Sequence, residues 1–179
     1  CVIPFPQDKK YNIIYADPAW SYKGTLQKNS AAKDHYDTMS MEEIWKLPVK
    51  DIADENCILF LWVTYPKLID CIKTIEEWGF TYKTCAFSWI KKNKKSDSLF
   101  WGLGHWTRAN NEICLLATKG KPKRVSKGVH QVVYEPIREH SRKPDCVRDR
   151  IVELCGDLPR IELFARQKVD GWDCWGNEV

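Results

Sequence analysis

The residues from Asn12 to Tyr22 read NIIYADPAWSY. An apolar run ends on an acid, and a proline and a tryptophan follow within three positions. Asp17 at a strand end offers a fixed hydrogen-bond acceptor. Pro18 lacks an N–H and stiffens the turn, which leaves its carbonyl as a second acceptor. Trp20 adds a flat face for a planar ring. Two acceptors beside an aromatic wall suit an aromatic amine, and the exocyclic amine of adenine is such a group. Its lone pair is delocalised into the ring, so it is a poor nucleophile. Preorganised acceptors for its two N–H groups would help it rehybridise and attack. The same residues could simply close a strand with an Asx-turn, because Asp-Pro is a common turn opener.

The elements that must hold these residues alternate along the chain. Strand candidates are YNIIYA (11–16), CILFLWVT (57–64), TCAFSWI (84–90), EICLLAT (112–118), QVVYE (131–135) and RIELFA (160–165). The first, second, fourth and sixth are near-continuous apolar runs, the pattern of strands covered on both faces. Helix candidates lie between them. SMEEIWKL (40–47) opens on Ser40 with Glu43 three residues on, a capping box. PKLIDCIKTIEEWG (66–79) and KPDCVRDRIVELCG (143–156) each begin near a proline and end on a glycine. The alternation predicts an α/β fold: a mostly parallel twisted sheet with helices on both faces. Ligands of such sheets bind beyond the carboxyl ends of the strands, so Asp17, Thr64 and Arg166 are expected at the working edge. No GxGxxG, Walker A or GxSxG sequence is present. That argues against a dinucleotide-binding enzyme of the usual type, phosphoryl transfer from ATP and an α/β-hydrolase.

Composition narrows the class further. With 179 residues, 44% hydrophobic and 29% charged, the chain is expected to form one globular domain over 1–179. No apolar run reaches the roughly 20 residues that span a bilayer, and no signal peptide is visible. The chain starts at Cys1 rather than Met, so a native start upstream is expected. Its eight cysteines form no CxxC pair and sit near no His at ligand spacing, so free thiols in a reducing interior are expected and no metal site is assigned. The net charge of +4 decides little, but basic residues cluster in KKNKK (91–95) and KGKPKRVSKG (119–128). Both follow strand-like runs and adjoin aromatics and Gly turns. They read either as solvated loops or as a phosphate-contacting surface.

The sequence resembles the S-adenosylmethionine-dependent N(6)-adenine methyltransferases related to the eukaryotic mRNA-adenosine methylating subunit, the MT-A70 family. Asp17-Pro18-Ala19-Trp20 resembles its Asp-Pro-Pro-Trp signature. HYDTMSMEEI (35–44), LFLWVT (59–64), GHWTRANNEICLLATKG (104–120), SRKPD (141–145), IELFAR (161–166) and WGNEV (175–179) resemble further family segments, in the family's order. The resemblance implies a Rossmann-like methyltransferase fold with permuted motifs, the catalytic acid first and the cofactor strand last. It implies S-adenosylmethionine as cofactor, with no metal, and methyl transfer to the 6-amino group of adenine in nucleic acid.

By this resemblance Asp17 and the Pro18 carbonyl hold the amine and Trp20 packs on the base. Tyr36, Glu112 and Lys143 are substrate-side residues. Asp17, Ser141, Lys143, Glu162, Arg166, Asn177 and Glu178 are cofactor-side residues, with Glu162 and Asn177 on the ribose diol. Two departures stand out: Ala19 replaces the second proline, and Lys168 and Val169 stand where the family has His and Asn. A compact chain without appended domains resembles bacterial or phage members, so DNA is favoured over RNA. A base in duplex DNA would be flipped out of the stack. Nucleic acid is expected on the basic loops 91–100 and 119–130, and a homodimer or a related partner subunit is compatible with the family. The expected location is cytoplasmic for a bacterial or phage protein and nuclear for a eukaryotic one. A catalytically silent nucleic-acid-binding partner subunit, or a small-molecule amine methyltransferase, would share the fold. Silent members typically lose the acid or the tryptophan, and both are present here.

Overall fold

A computed structural model describes residues 4–20, 39–104, 106–139 and 142–179. Among them run β1 (Tyr11–Ala16), α1 (Met41–Lys46), α2 (Val49–Ile52), β2 (Ala53–Val63), α3 (Leu68–Glu77), β3 (Thr81–Lys92), β4 (Asn111–Lys119), β5 (Val132–Pro136), α4 (Cys146–Cys155), β6 (Arg160–Leu163) and β7 (Asp173–Trp175). The strands form one seven-stranded sheet in the order β5-β3-β4-β2-β1-β6-β7. β1 pairs parallel with β2 and β6, β6 with β7, and β3 with β5. β4 alone is antiparallel to its neighbours, β2 and β3. The four near-continuous apolar runs are β4, β2, β1 and β6, which lie side by side in the middle of the sheet. The expected mostly parallel α/β sheet is therefore present.

Alternation along each strand divides the core into two layers. Ile14 and Ala16 of β1 and Leu59, Leu61 and Val63 of β2 pack with Ile44 of α1, Val49 and Ile52 of α2, and Cys71 and Ile75 of α3. Ile13 and Tyr15, and Ile58, Phe60 and Trp62, point the other way and pack with Val147, Ile151 and Cys155 of α4. Trp62, Trp78, Phe60 and Phe87 are among the largest fully buried side chains. Burial of each such group is worth about 1.5–3 kcal/mol.

The helix ends follow their sequence signals. Ser40 caps α1, with the Ser40 and Glu43 side chains each bonded to the other's backbone N–H. A 3-10 turn over Tyr65–Lys67 precedes α3, where a single helix from residue 66 is expected. Phe80 N–H donates to the Ile75 carbonyl and Gly79 N–H to the Glu76 carbonyl, a Schellman closure. β2 begins four residues before the apolar run, because Asp54 to Asn56 form a polar end that the run does not include. β7, only three residues long, has no period to detect. The described cysteines, Cys57, Cys71, Cys85, Cys114, Cys146, Cys155 and Cys174, are free thiols. Among the described residues no helix is long and apolar enough to cross a membrane.

Candidate active site

The strand faces that pack on α4 turn polar at one edge of the sheet. On β3 the series Phe87, Trp89 continues to Lys91, and on β1 the series Ile13, Tyr15 continues to Asp17 just beyond the strand. Glu162 lies between Ile161 and Leu163, so it faces α4 while they face the other layer. β4 runs in the opposite direction, so its beginning, with Glu112, lies where the parallel strands end. Glu112 sits opposite Trp89, beside the Val63–Ile113 pair.

The segment leading into α4 crosses this edge and lowers Lys143 into it. The Lys143 ammonium lies 2.9 Å from Glu112 Oε2 and 3.4 Å from Asp17 Oδ2. It also sits 5.5 Å from the centre of a Trp62 ring. Lys91 donates to the other oxygen of Glu112 at 2.7 Å. Asp17, Lys143, Glu112 and Lys91 therefore form a continuous row of alternating charge. Burial pushes the Asp17 carboxyl up, the Lys143 cation pulls it down, and the balance is above the usual aspartate value. Burial also opposes ionisation of Glu112, but Lys143 and Lys91 together outweigh it and hold that carboxyl below its usual value. Burial alone would lower Lys143; its two carboxylate neighbours instead raise it, so the ammonium stays charged.

A cleft of about 150 Å³ opens beside Asp17, lined by Tyr15, Asp17, Arg142, Lys143, Arg148, Glu162, Phe164, Arg166 and Gln167. Arg148 forks onto Glu162, Nε to Oε1 at 2.5 Å and Nη2 to Oε2 at 3.1 Å, which fixes the carboxylate plane. Phe164 has φ 59°, a left-handed conformation that costs a bulky residue roughly 1–3 kcal/mol. Its ring meets Trp175 edge-on at 5.3 Å, and Ala165 N–H donates to the Trp175 carbonyl. This turn directs Phe164 and Arg166 to the cleft. A Cβ on Gly176 would lie 2.5 Å from the Ala165 carbonyl, so only glycine lets β7's end press against the turn. A more open cleft of about 730 Å³ shares Arg142, Arg148 and Gln167 as its wall.

The structure brings Asp17, Glu112, Lys143, Glu162 and Arg166 together. Asn177 and Glu178 are exposed beyond Gly176 and do not line the cleft. Tyr36 and Ser141 lie outside the described residues. Thr64 follows the end of β2, its carbonyl accepts from Lys67 N–H at the 3-10 turn, and it is not among the residues lining the cleft. Pro18 is buried and Ala19 exposed. Trp20 is held by the core. Only 8% of it is exposed, it packs into the core, and its Nε1–H donates to the Trp62 carbonyl at 3.0 Å. Trp62 in turn donates Nε1–H to the Tyr15 hydroxyl at 2.7 Å. The Trp20 ring thus anchors the Asp17–Pro18 turn.

Several site residues were given no role from the sequence: Lys91, Trp62 and Arg142 lie inside quoted segments without one, and Arg148 and Gln167 lie in none of the segments quoted for charge or resemblance. Arg148 had one detectable signal, since it lies three residues before Ile151 and seven before Cys155, on the buried stripe of α4. The two basic loops lie at different edges of the sheet. The loop after β3 rises from the edge that carries Asp17. The loop after β4 leaves from the opposite edge, where Lys119 reaches the Ala53 carbonyl and Lys121 N–H reaches Asn56. The nine residues of β4 separate the two by roughly 30 Å. Residues 119–130 therefore do not flank the site.

A family model described as MT-A70 matches residues 11–178. The type II methyltransferase M.MunI of a Mycoplasma species is 37% identical, over 98% of this chain and 81% of its own length. An N(6)-adenosine-methyltransferase MT-A70-like protein of Drosophila melanogaster is 30% identical over 95% of this chain. The human N(6)-adenosine-methyltransferase catalytic subunit METTL3 is 28% identical over 95% of it. The chain spans only 27% and 28% of those two proteins. With a family model matching nearly its whole length and a relative 37% identical, the chain belongs to the MT-A70 methyltransferase family.

Proposed function

We propose that residues 1–179 act as a single methyltransferase domain that moves a methyl group from S-adenosylmethionine to the 6-amino group of adenine in nucleic acid. The observation that carries this reading is Asp17, held at the open edge of the sheet beside a cleft of mixed charge. The cleft's chemistry suits the cofactor. Glu162 is a carboxylate acceptor for a diol, Arg142, Lys143 and Arg166 are cations for a carboxylate, and Phe164 and Tyr15 are aromatic faces. When bound, S-adenosylmethionine supplies an electrophilic methyl group on a sulfonium centre.

The chain's own residues hold the acceptor. Lys143 meets Oδ2 of Asp17, and Oδ1 is assigned to one amine N–H. The Pro18 carbonyl is assigned to the other. With both N–H groups held, the nitrogen lone pair leaves conjugation and faces the methyl donor. The methylated nitrogen is acidic enough to lose its proton to solvent, so Asp17 orients the amine and need not act as a strong base. Trp20 serves this turn from beneath, through Trp62.

DNA is favoured over RNA. M.MunI, a type II methyltransferase, is 37% identical over 98% of this chain, whereas the two N(6)-adenosine-methyltransferases are 30% and 28% identical over 95% of it. The test is a radiolabelled methyl-transfer assay on single- and double-stranded DNA and RNA, with the labelled nucleoside identified. Label in N(6)-methyldeoxyadenosine is expected. Label in any other base or atom, or none, would sink the assignment.

A further inference from the structure

Residues 91–110 contain five basic residues and one acid, so this segment carries a net +4, as much as the whole chain. It rises from the edge that holds the site, because Lys91, its first residue, reaches Glu112. The backbone folds into two turns fastened at a common base. Asn93 N–H donates to the Ser98 carbonyl, and Phe100 N–H to Lys91, closing the first turn. Gly102 N–H donates to the Ala109 carbonyl and Lys91 N–H to Asn110, closing the second. Arg108 stiffens the second turn from within, bonding the Gly102 and Trp101 carbonyls at 3.0 and 3.3 Å. Gly104 has φ +65°, and a Cβ there would overlap the Thr107 carbonyl.

The two tips differ in chemistry. The first exposes Lys94 and Lys95. The second exposes Trp101 to 51%, Leu103 to 85% and Trp106 to 99%. Trp101 and Trp106 thus present aromatic faces to solvent on the same braced segment as Lys94 and Lys95. Adjacent ammonium groups select an anionic partner, and flat aromatic faces select stacked rings. A nucleic acid with unpaired bases has both.

We propose that residues 91–110 form a docking arm for nucleic acid: Lys94 and Lys95 hold backbone phosphates, and Trp101 and Trp106 stack on unpaired bases next to the target. This rests on the adenine-transfer reading for its position beside the site, but its binding test stands apart from catalysis. Binding of a dye-labelled single-stranded oligodeoxynucleotide is measured by anisotropy across a salt series. Trp101→Ala with Trp106→Ala is expected to weaken binding at least tenfold and leave the salt slope unchanged. Lys94→Ala with Lys95→Ala is expected to reduce the slope by roughly 1.4, two phosphates' worth on a single strand. Replacing the flanking nucleotides by abasic sites, one at a time, is expected to abolish the tryptophan effect at the stacked positions.

Unchanged affinity in the tryptophan variant overturns the proposal, as does no measurable binding by the unaltered chain. An equal tryptophan effect on a fully abasic strand overturns it too. So does a shift from dimer to monomer in sedimentation at constant oligonucleotide affinity, because the aromatic tip would then serve a second copy of the chain. S-adenosylmethionine affinity, which the arm does not touch, checks that each variant is folded. If methyl transfer fails on every nucleic acid while these binding effects hold, the catalytic reading falls and the arm stands.

Discussion

Asp17 and Glu112 stand at opposite ends of one ammonium group, on the same face of the same sheet, and their acidities shift in opposite directions. Glu112 has two lysines, at 2.7 and 2.9 Å, and both of its oxygens are engaged. Asp17 has a share of one lysine, at 3.4 Å, and keeps more solvent contact, with 28% of its side chain exposed against 11% for Glu112. The Glu112 end is satisfied by the protein itself. Among the described residues the Asp17 end is held more loosely, by Lys143 at 3.4 Å and the field of Arg166, the condition of an acceptor with room for donors from a substrate. Under the proposed function the difference separates the roles: Glu112 holds Lys143 at a fixed distance, and Asp17 is the acceptor for the amine.

The largest expected effect comes from removing the acceptor. Asp17→Ala should lower kcat for adenine methylation by roughly 10²–10³ or more, the usual cost of losing one preorganised partner at a reacting group. S-adenosylmethionine affinity, measured by calorimetry, should change much less. Activity within tenfold of the unaltered protein would remove Asp17 from the chemistry. Lys143→Met comes next, because it strips the shared cation from both acids at once. An uncompensated buried charge costs about 3–5 kcal/mol, so thermal unfolding should shift down by many degrees. The acid limb of the kcat/KM profile should move to higher pH as Asp17 loses its counter-ion. A limb that stayed in place would show that Lys143 does not govern Asp17.

The sequence announced one end of this row and not the other. Asp17 could be read because an acid ending an apolar run, followed by proline and tryptophan, is an unusual local event. The four interior strands could be read because strands covered on both faces leave no polar gaps. Glu112 is reached only through the family resemblance, because nothing local marks the first residue of EICLLAT (112–118) as buried. Its burial depends on β4 running antiparallel, a fact of long-range pairing that no local period encodes. Lys91 and Lys143 lie 52 positions apart and meet only through Glu112. The same limit explains the basic loops: both clusters are visible as charge, but the direction of β4 sends them to opposite edges. Trp20 was recognised as part of the motif, yet whether its ring faced a ligand or the core depended on Trp62, 42 positions away.

Glu112→Gln sharpens the comparison at intermediate size. Asp17 loses a negative neighbour that raises it, and Lys143 is released toward Asp17. Both changes lower the Asp17 carboxyl, so the acid limb of kcat/KM should move to lower pH, with kcat on the plateau changed less than tenfold. An unmoved limb with a raised KM for the nucleic acid would instead place Glu112 in direct contact with the acceptor.

The smallest effect is expected at the far end of the row. Lys91→Met removes one of the two cations that hold Glu112 below its ordinary value of 4.5. A carboxyl depressed in the folded state contributes stability above its unfolded value, and that contribution disappears as pH falls through the folded one. The Lys91→Met variant should therefore lose roughly 1–3 kcal/mol at neutral pH, the cost of leaving a buried acceptor short of a partner. The deficit should shrink as pH drops below 4.5, where Glu112 takes up a proton in the variant before it does in the unaltered chain. Chemical denaturation at a series of pH values measures this directly. A deficit that stays constant with pH would mean that Lys91 contributes only the packing of its stem, since 20% of its side chain is exposed and its ammonium also lies 5.1 Å from the Trp89 ring centre. The charged row would then end at Glu112, and Lys143 would be the one cation the two acids share.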